Sequence, residues 1–324
     1  MLFSILSTLS VSLLATISKA DDLEVLNYAL TLEHLENAFY QEGLQNFTSD
    51  DFKKENFHFS VYGEFQNIAS HEKTHVATLM SAINASYPGK AVPPCKYAFG
   101  VTSVKEFVAT ARALERTGVS AYLGRVTDIS LGAYLTAAGS IMTVEARHSS
   151  FLNTISGISG APQPFDTPLD PMSVLSIASQ FIVSCPFDLG AKPNPKLEAT
   201  VMDGSLKTSY GSAGYCKYSC GSMTYTSKLD NMKCSLPKMD GTDIYVSIVS
   251  STDKDAKVLA GPAVVSVNTN KSTGARNGDA NNNNNANTSG SSGDSGTSSP
   301  PSSSSYKTQV GFLGTFFYLT VLFI

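Results

Sequence analysis

The chain has 324 residues, 42% of them hydrophobic and 15% charged, enough to bury one large core or two modest ones. Its formal net charge is −4 and its one basic cluster is Lys53-Lys54, which excludes the basic face that a nucleic-acid partner needs. The chain opens on an apolar stretch, Leu2 to Ile17, too short for a comfortable membrane span. Ser18-Lys19-Ala20 follows, with small residues where a signal peptidase cuts, so residues 1–20 read as a secretory leader.

Four segments then carry helical periodicity. The first, about 22–45, repeats Leu23, Leu26, Leu30, Leu35, Phe39 and Leu44, with Gly43 near its end. The second, about 59–84, carries Val61, Phe65, Ile68, Val76, Leu79 and Ile83. The third, about 103–128, opens on Ser103 with Glu106 three residues on, a capping-box spacing. The fourth, about 131–156, carries Leu131, Leu135, Ile141, Val144, Phe151, Leu152 and Ile155 and ends at Gly157. The third and fourth meet with almost no loop and must lie antiparallel. The second and third are joined by residues 85–102, a stretch with three prolines and Cys95. One long crossover in the middle of a four-helix bundle is the ferritin-like topology, not the plain up-and-down one. The fold class expected is therefore mainly α: a ferritin-like bundle over 21–160, with the long crossover between helices two and three.

Residues 161–196 read as a proline-rich connector with a short helix over Val174 to Val183. Short β-branched and aromatic runs follow over 197–268, such as 244–249 and 263–267, and suggest a small antiparallel sheet or sandwich. Residues 269–309, with Asn281 to Asn285 and many Ser and Gly, are too polar to order themselves. Val310 to Ile324 is almost wholly apolar, with no basic stop after it. Small residues, polar spacer and terminal apolar tail are the layout of a glycosylphosphatidylinositol (GPI) signal, with Ser295 or Gly293 as the attachment residue and the tail removed. The membrane is thus an expected partner, through a lipid anchor.

A secreted chain forms disulfides. Five cysteines allow at most two. Cys95 and Cys185 bracket the helical region and could staple its ends. Cys216 with Cys234 would form the second pair and leave Cys220, although connectivity stays open at this level. Sequons stand at Asn46, Asn84, Asn270 and Asn287.

The chemistry lies in the helices. Glu72 with His75, and Glu145 with His148, are Glu-x-x-His pairs whose three-residue step puts both side chains on one helical face. Helices one and three each offer a Glu in an apolar setting, Glu33 and Glu115. Four carboxylates and two imidazoles in this order are the ligand set of a carboxylate-bridged di-metal bundle. Oxygen and imidazole donors without thiolate favour two Fe or Mn ions, with Zn possible. A third pair, Glu55 with His58, falls in a charged interhelical loop and reads as a chance occurrence. Glu36 could replace Glu33, but Glu33 is preferred because Tyr40 lies seven residues after it. His71 shares the face of His75 and reads as a supporting or surface residue. His34 points away and should be solvated, and Tyr40 and Tyr122 read as plain core. Arg147 and Asp128 are expected to pair at the surface.

These motifs resemble the secreted ferritin-like family, which includes fungal nutrient- and stress-regulated proteins and plant desiccation-related proteins. The resemblance is carried by Leu26 to Glu36, Ala69 to Val76, Leu114 to Gly124 and Val144 to His148, with Pro94-Cys95 and Phe165 to Asp170. It covers about 22–190 and implies the bundle and its six ligands, while the family's biochemical role is largely unassigned. A Ser/Asn-rich stalk with a GPI signal resembles fungal wall proteins. Two functions compete: a di-metal oxidoreductase acting on oxygen or peroxide under stress, and a structural or glycan-binding wall protein with a vestigial site. No Gly-x-Ser-x-Gly nucleophile motif supports a hydrolase. The sequence leaves the oligomeric state unknown.

Overall fold

The computed structural model describes residues 21–267, save 203 and 238–241. The leader, the sequons at Asn270 and Asn287, Ser295, Gly293 and the apolar tail therefore lie outside the described residues.

Four long helices form the bundle: α1 (Asp22–Asn46), α3 (Ser60–Ser86), α4 (Val104–Arg125) and α5 (Gly132–Ile155). A short α2 (Ser49–Lys54) fills the first connection. Local chemistry sets the ends. Asp21 accepts from the Glu24 amide at 2.8 Å, and Thr48 forms a capping box with Asp51. Ser103 caps α4, while the Glu106 carboxylate reaches back to the Thr102 amide and hydroxyl, at 2.8 and 2.7 Å. The third helix ends in a 3₁₀ turn, Val126–Asp128, and Asp22 then accepts from the amide and hydroxyl of Ser130.

The crossover between α3 and α4 runs the length of α1. Asn27 clamps it from both sides, donating to the Lys90 carbonyl and accepting from the Val92 amide, each at 3.0 Å. His34, expected in solvent, is buried here, with its Nε2 3.1 Å from the Val92 carbonyl. The crossover covers the outward face of α1, which helical periodicity alone leaves bare. Within it, β1 (Lys96–Tyr97) pairs with β2 (Ile182–Ser184), and the Cys95–Cys185 disulfide locks the two.

The connector helix is shorter and earlier than expected. It is α6 (Pro171–Ala178), capped by Asp170 with Pro171 in its first turn, and 182–184 is strand instead of helix. Two antiparallel sheets follow. One has the order β3 (Ala199–Met202), β4 (Ser205–Thr208), β7 (Lys233–Ser235). The other has the order β6 (Met223–Lys228), β5 (Tyr215–Cys220), β8 (Thr242–Val249), β9 (Val258–Val267). Their inner faces share one core, and the Cys216–Cys234 disulfide ties β5 to β7 across it. The β-rich region is a sandwich, and Cys220 is buried within it.

The sandwich is docked on α4. Tyr245 of β8 donates to the Arg116 carbonyl at 3.0 Å and accepts from Ser120 at 2.8 Å. Arg112 forms a two-armed ion pair with Asp243, and Ser266 joins it. On the same helix, Leu169 lies so close to Gly124 that a Cβ there would stand 1.9 Å from its carbonyl oxygen. Covered by bundle, connector and sandwich, α4 is buried at every residue from Leu114 to Tyr122.

The bundle core has two apolar halves. Phe39, Tyr40, Phe52, Phe65 and Phe107 fill one, and Leu26, Leu30, Leu79, Ile83 and Ile141 the other. Gly43 lies in the last turn of α1, as expected, and a Cβ there would meet the Phe107 ring at 2.1 Å. That ring is itself held by Phe39 and Phe65, with centroids 5.0 Å away in each case. Helix propensity alone would make Gly43→Ala stabilising by about 1 kcal/mol. The overlap reverses the sign, and chemical denaturation should show a net loss of about 1–2 kcal/mol. An unchanged midpoint would mean that the ring can move aside.

Candidate metal centre

Between the two apolar halves lies a polar layer that contains all six residues singled out by spacing. Glu33 on α1, Glu72 on α3, Glu115 on α4 and Glu145 on α5 are each 0% exposed, and His75 and His148 are buried beside them. They form two overlapping sets, Glu33–Glu72–His75–Glu145 and Glu72–Glu115–Glu145–His148, each with one ligand atom per residue within 4.8 Å of the others. Glu72 and Glu145 belong to both sets. The two carboxylates on the Glu-x-x-His helices thus stand where bridging ligands would, with Glu33 and Glu115 at the two ends.

The layer has a local two-fold arrangement. Tyr40 lies seven residues after Glu33, and Tyr122 seven after Glu115. Each phenol crosses to the other helix: Tyr40 donates to Glu115 Oε1 at 2.5 Å, and Tyr122 to Glu33 Oε1 at 2.6 Å. The expectation of plain core residues is corrected here, since both hydroxyls fix a carboxylate. Burial, then the adjacent carboxylates, pushes both phenols well above their ordinary range. The repeated seven-residue step after a lone Glu, two helical turns, was the signal in the sequence that could have shown this.

The imidazoles present Nδ1 inward. His75 Nδ1 lies 3.3 Å from Glu33 Oε2, 3.2 Å from Glu72 Oε2 and 3.1 Å from Glu145 Oε1. His148 Nδ1 lies 3.2 Å from Glu72 Oε1 and 3.0 Å from Glu115 Oε2. One N–H can serve one acceptor well, so three oxygens around one nitrogen leave two without a proper donor. Glu33 Oε2, Glu72 Oε1 and both oxygens of Glu145 have no hydrogen-bond partner among the described residues. Buried carboxylate oxygens without donors are strongly unfavourable. A pair of divalent cations, which are the common partner of such oxygens, fits this donor set.

Several neighbours are placed by the geometry. Glu36 is buried but belongs to neither set. Its Oε1 and Glu145 Oε2 lie 3.0 and 3.1 Å from where a Cβ on Gly118 would be, so glycine keeps that wall open. Burial, then the charges of Glu115, Glu33 and Glu72, raises its carboxyl well above the usual range. His71 is exposed, with Nδ1 2.9 Å from His148 Nε2 and the two rings stacked. Arg147 does not pair with Asp128, which faces Arg125 at 3.3 Å instead. The step from 128 to 147 spans most of α5, and the two ends cannot meet. Glu55 and His58 lie outside the layer, held by Lys105 and Ser60.

One comparison with known proteins bears on this layer. Residues 21–157 match the model of the ferritin-like domain. They fold as a ferritin-like bundle. No curated protein sequence matches the chain. The match runs from the cap of α1 past the end of α5, so the ferritin-like domain carries every residue of the polar layer. The connector helix and the sandwich lie beyond it.

Without metal, the layer holds protons. Burial lowers His75, but Glu33 and Glu72 outweigh it and bring it up to about 10. Burial likewise opposes His148, and Glu115 and Glu72 bring it up to about 9. Burial raises Glu33 to about 8 against the pull of His75. Burial opposes Glu72, yet His148 and His75 hold it down at about 2. A group raised on folding stabilises fully below its unfolded value and loses that contribution as pH climbs through its folded value. Metal-free protein should therefore show a falling Tm between about pH 7 and pH 10, in the window of Glu33, His148 and His75. Metal must displace those protons, so the stabilisation by Mn or Zn should grow over the same window. A Tm flat in pH for the metal-free chain would contradict the arrangement. Tyr122→Phe, which takes the donor from Glu33, should weaken metal affinity by about 10–100-fold in a competitive chelator titration. An unchanged affinity would make the phenol a packing residue only.

Proposed function

We propose that this chain is a cell-surface di-metal protein whose ferritin-like domain binds two Fe or Mn ions and acts as an oxidoreductase. The observation that carries the reading is four wholly buried carboxylates from four helices, with four of their oxygens lacking donors, around two inward imidazole nitrogens. A vestigial site would be free to lose members. Here the four carboxylates, two imidazoles and two phenols are all in place.

In this reading Glu33, Glu72, His75 and Glu145 would hold one ion and Glu72, Glu115, Glu145 and His148 the other, with Glu72 and Glu145 common to both sets. The ions, when bound, would supply electrons for the reduction of dioxygen or peroxide. The protein keeps the carboxylates in register as charge changes: Tyr40 and Tyr122 fix the outer oxygens, and the apolar halves above and below exclude water. The sandwich and connector hold α4, and with it Glu115, from behind.

Two disulfides fit an oxidising compartment. No helix among the described residues is long and apolar enough to cross a membrane. The disulfides, with the leader-like residues 1–20 and the GPI-like pattern of residues 269–324, are the basis for reading the chain as secreted and anchored at the outer surface, close to wall glycan. Asn46 and Asn84, at the last turns of α1 and α3, are exposed and open to glycans.

The test is metal content of the purified chain after loading with Fe(II) or Mn(II). We expect two ions per chain, fewer than one in Glu145→Ala, and two in the Glu55→Ala/His58→Ala variant. Fewer than one ion in the unsubstituted chain would end the di-metal reading.

A further inference from the structure

On the outer side of the layer, between α3 and α5, a cleft of about 380 Å³ opens to solvent. Its floor is His75 and His148, and its rim includes His71 and Arg147. Dioxygen or peroxide would occupy a small part of this space, whereas pockets for organic molecules begin at about 300 Å³.

The lining is polarised. Arg147 is the cleft's one guanidinium and makes no ion pair among the described residues. His71 adds a second donor. If His148 Nδ1 faces the ions bare, its Nε2 carries the proton and donates to His71 Nδ1, 2.9 Å away. The His71 ring then carries its own proton on Nε2, the edge turned from His148. Beyond these donors Ile68 and Phe151 form an apolar wall. The cleft's carboxylate, Glu64, precedes His71 by seven residues, about 10 Å along the helix, and already accepts from Asn67. The two-fold arrangement also stops at the rim. Val144 precedes Glu145 as His71 precedes Glu72, and Thr74 follows Glu72 as Arg147 follows Glu145. The chemistry at matched positions differs, which gives the cleft one cationic side.

We propose that this cleft binds a small organic anion, its carboxylate or phenolate head on Arg147 and His71 and its apolar body on Ile68 and Phe151. Calling that anion the reducing substrate of the centre rests on the di-metal reading; the binding itself does not.

The test is calorimetric titration of the full purified chain, metal-free and zinc-loaded, with benzoate, benzylamine and inorganic phosphate. Benzoate should bind in both forms. Benzylamine should bind at least about tenfold more weakly, and Arg147→Ala should weaken benzoate by about tenfold. Phosphate should be weaker than benzoate, because it leaves the apolar wall unfilled. Equal binding of benzylamine, or indifference to Arg147→Ala, would overturn the proposal. So would phosphate as tight as benzoate, which would mark a plain anion site, or benzoate bound only with zinc and regardless of Arg147, which would mark simple coordination. Zinc content of the same samples separates the two readings. Arg147-dependent benzoate binding by a chain that takes no metal would uphold the cleft and remove the di-metal centre.

Discussion

Carboxylates buried without compensation are among the least tolerable groups in a protein interior, and this bundle buries five of them in one layer: Glu33, Glu36, Glu72, Glu115 and Glu145. Two protonated imidazoles and two phenols offset part of that penalty in the metal-free chain. They leave four oxygens without donors. The surrounding structure is arranged to bear the strain. An aromatic plug closes one end and an aliphatic plug the other. The layer is therefore a place where cations gain more than they would at a surface, because the opposing charges are already desolvated and fixed.

The parts outside the four helices serve the same constraint. A free-standing bundle leaves the outer face of each helix in water, where the last turn of side chain can yield. Here α4 has no free face over the nine residues from Leu114 to Tyr122. Tyr245 grips the Arg116 carbonyl from the sandwich, Leu169 sits against Gly124, and α6 covers Ala121. The two disulfides close these additions onto the bundle and onto themselves. Glu115 is thus held from both sides of its helix, and Glu33 is backed by the crossover that buries His34.

The polar layer is nearly symmetric and the cleft above it is not. Glu33 matches Glu115, Glu72 matches Glu145, and Tyr40 matches Tyr122, each crossing to the partner helix. This equivalence suits a pair of ions in like surroundings. At the rim the match fails, with His71 and Arg147 facing Val144 and Thr74. On the proposed reading, symmetry within the layer and asymmetry at its mouth would divide holding from selecting between two sets of residues on the same helices.

The sequence by itself determined the four rods and the six side chains that the polar layer brings together. Helical periodicity and the three-residue step between Glu and His are local, and local spacing fixes which side chains share a face. The long prolines-and-cysteine connection was equally legible as a crossover. What the spacing could not show is which residues meet across helices. Tyr40 and Tyr122 look like any core tyrosine until α1 and α4 are laid antiparallel. His34 looks solvated until the crossover covers it, and nothing local to Gly43 shows that Phe107 packs on it. Likewise Arg147 lies on the far end of α5 from its expected partner Asp128. These features depend on contacts between residues far apart in the chain, whose distances are set by packing and not by sequence separation. Which residues stand on each inward face was a local property of each helix; the place of Glu72 and Glu145 in both sets, and the cleft over them, were decided only when four helices closed on one another.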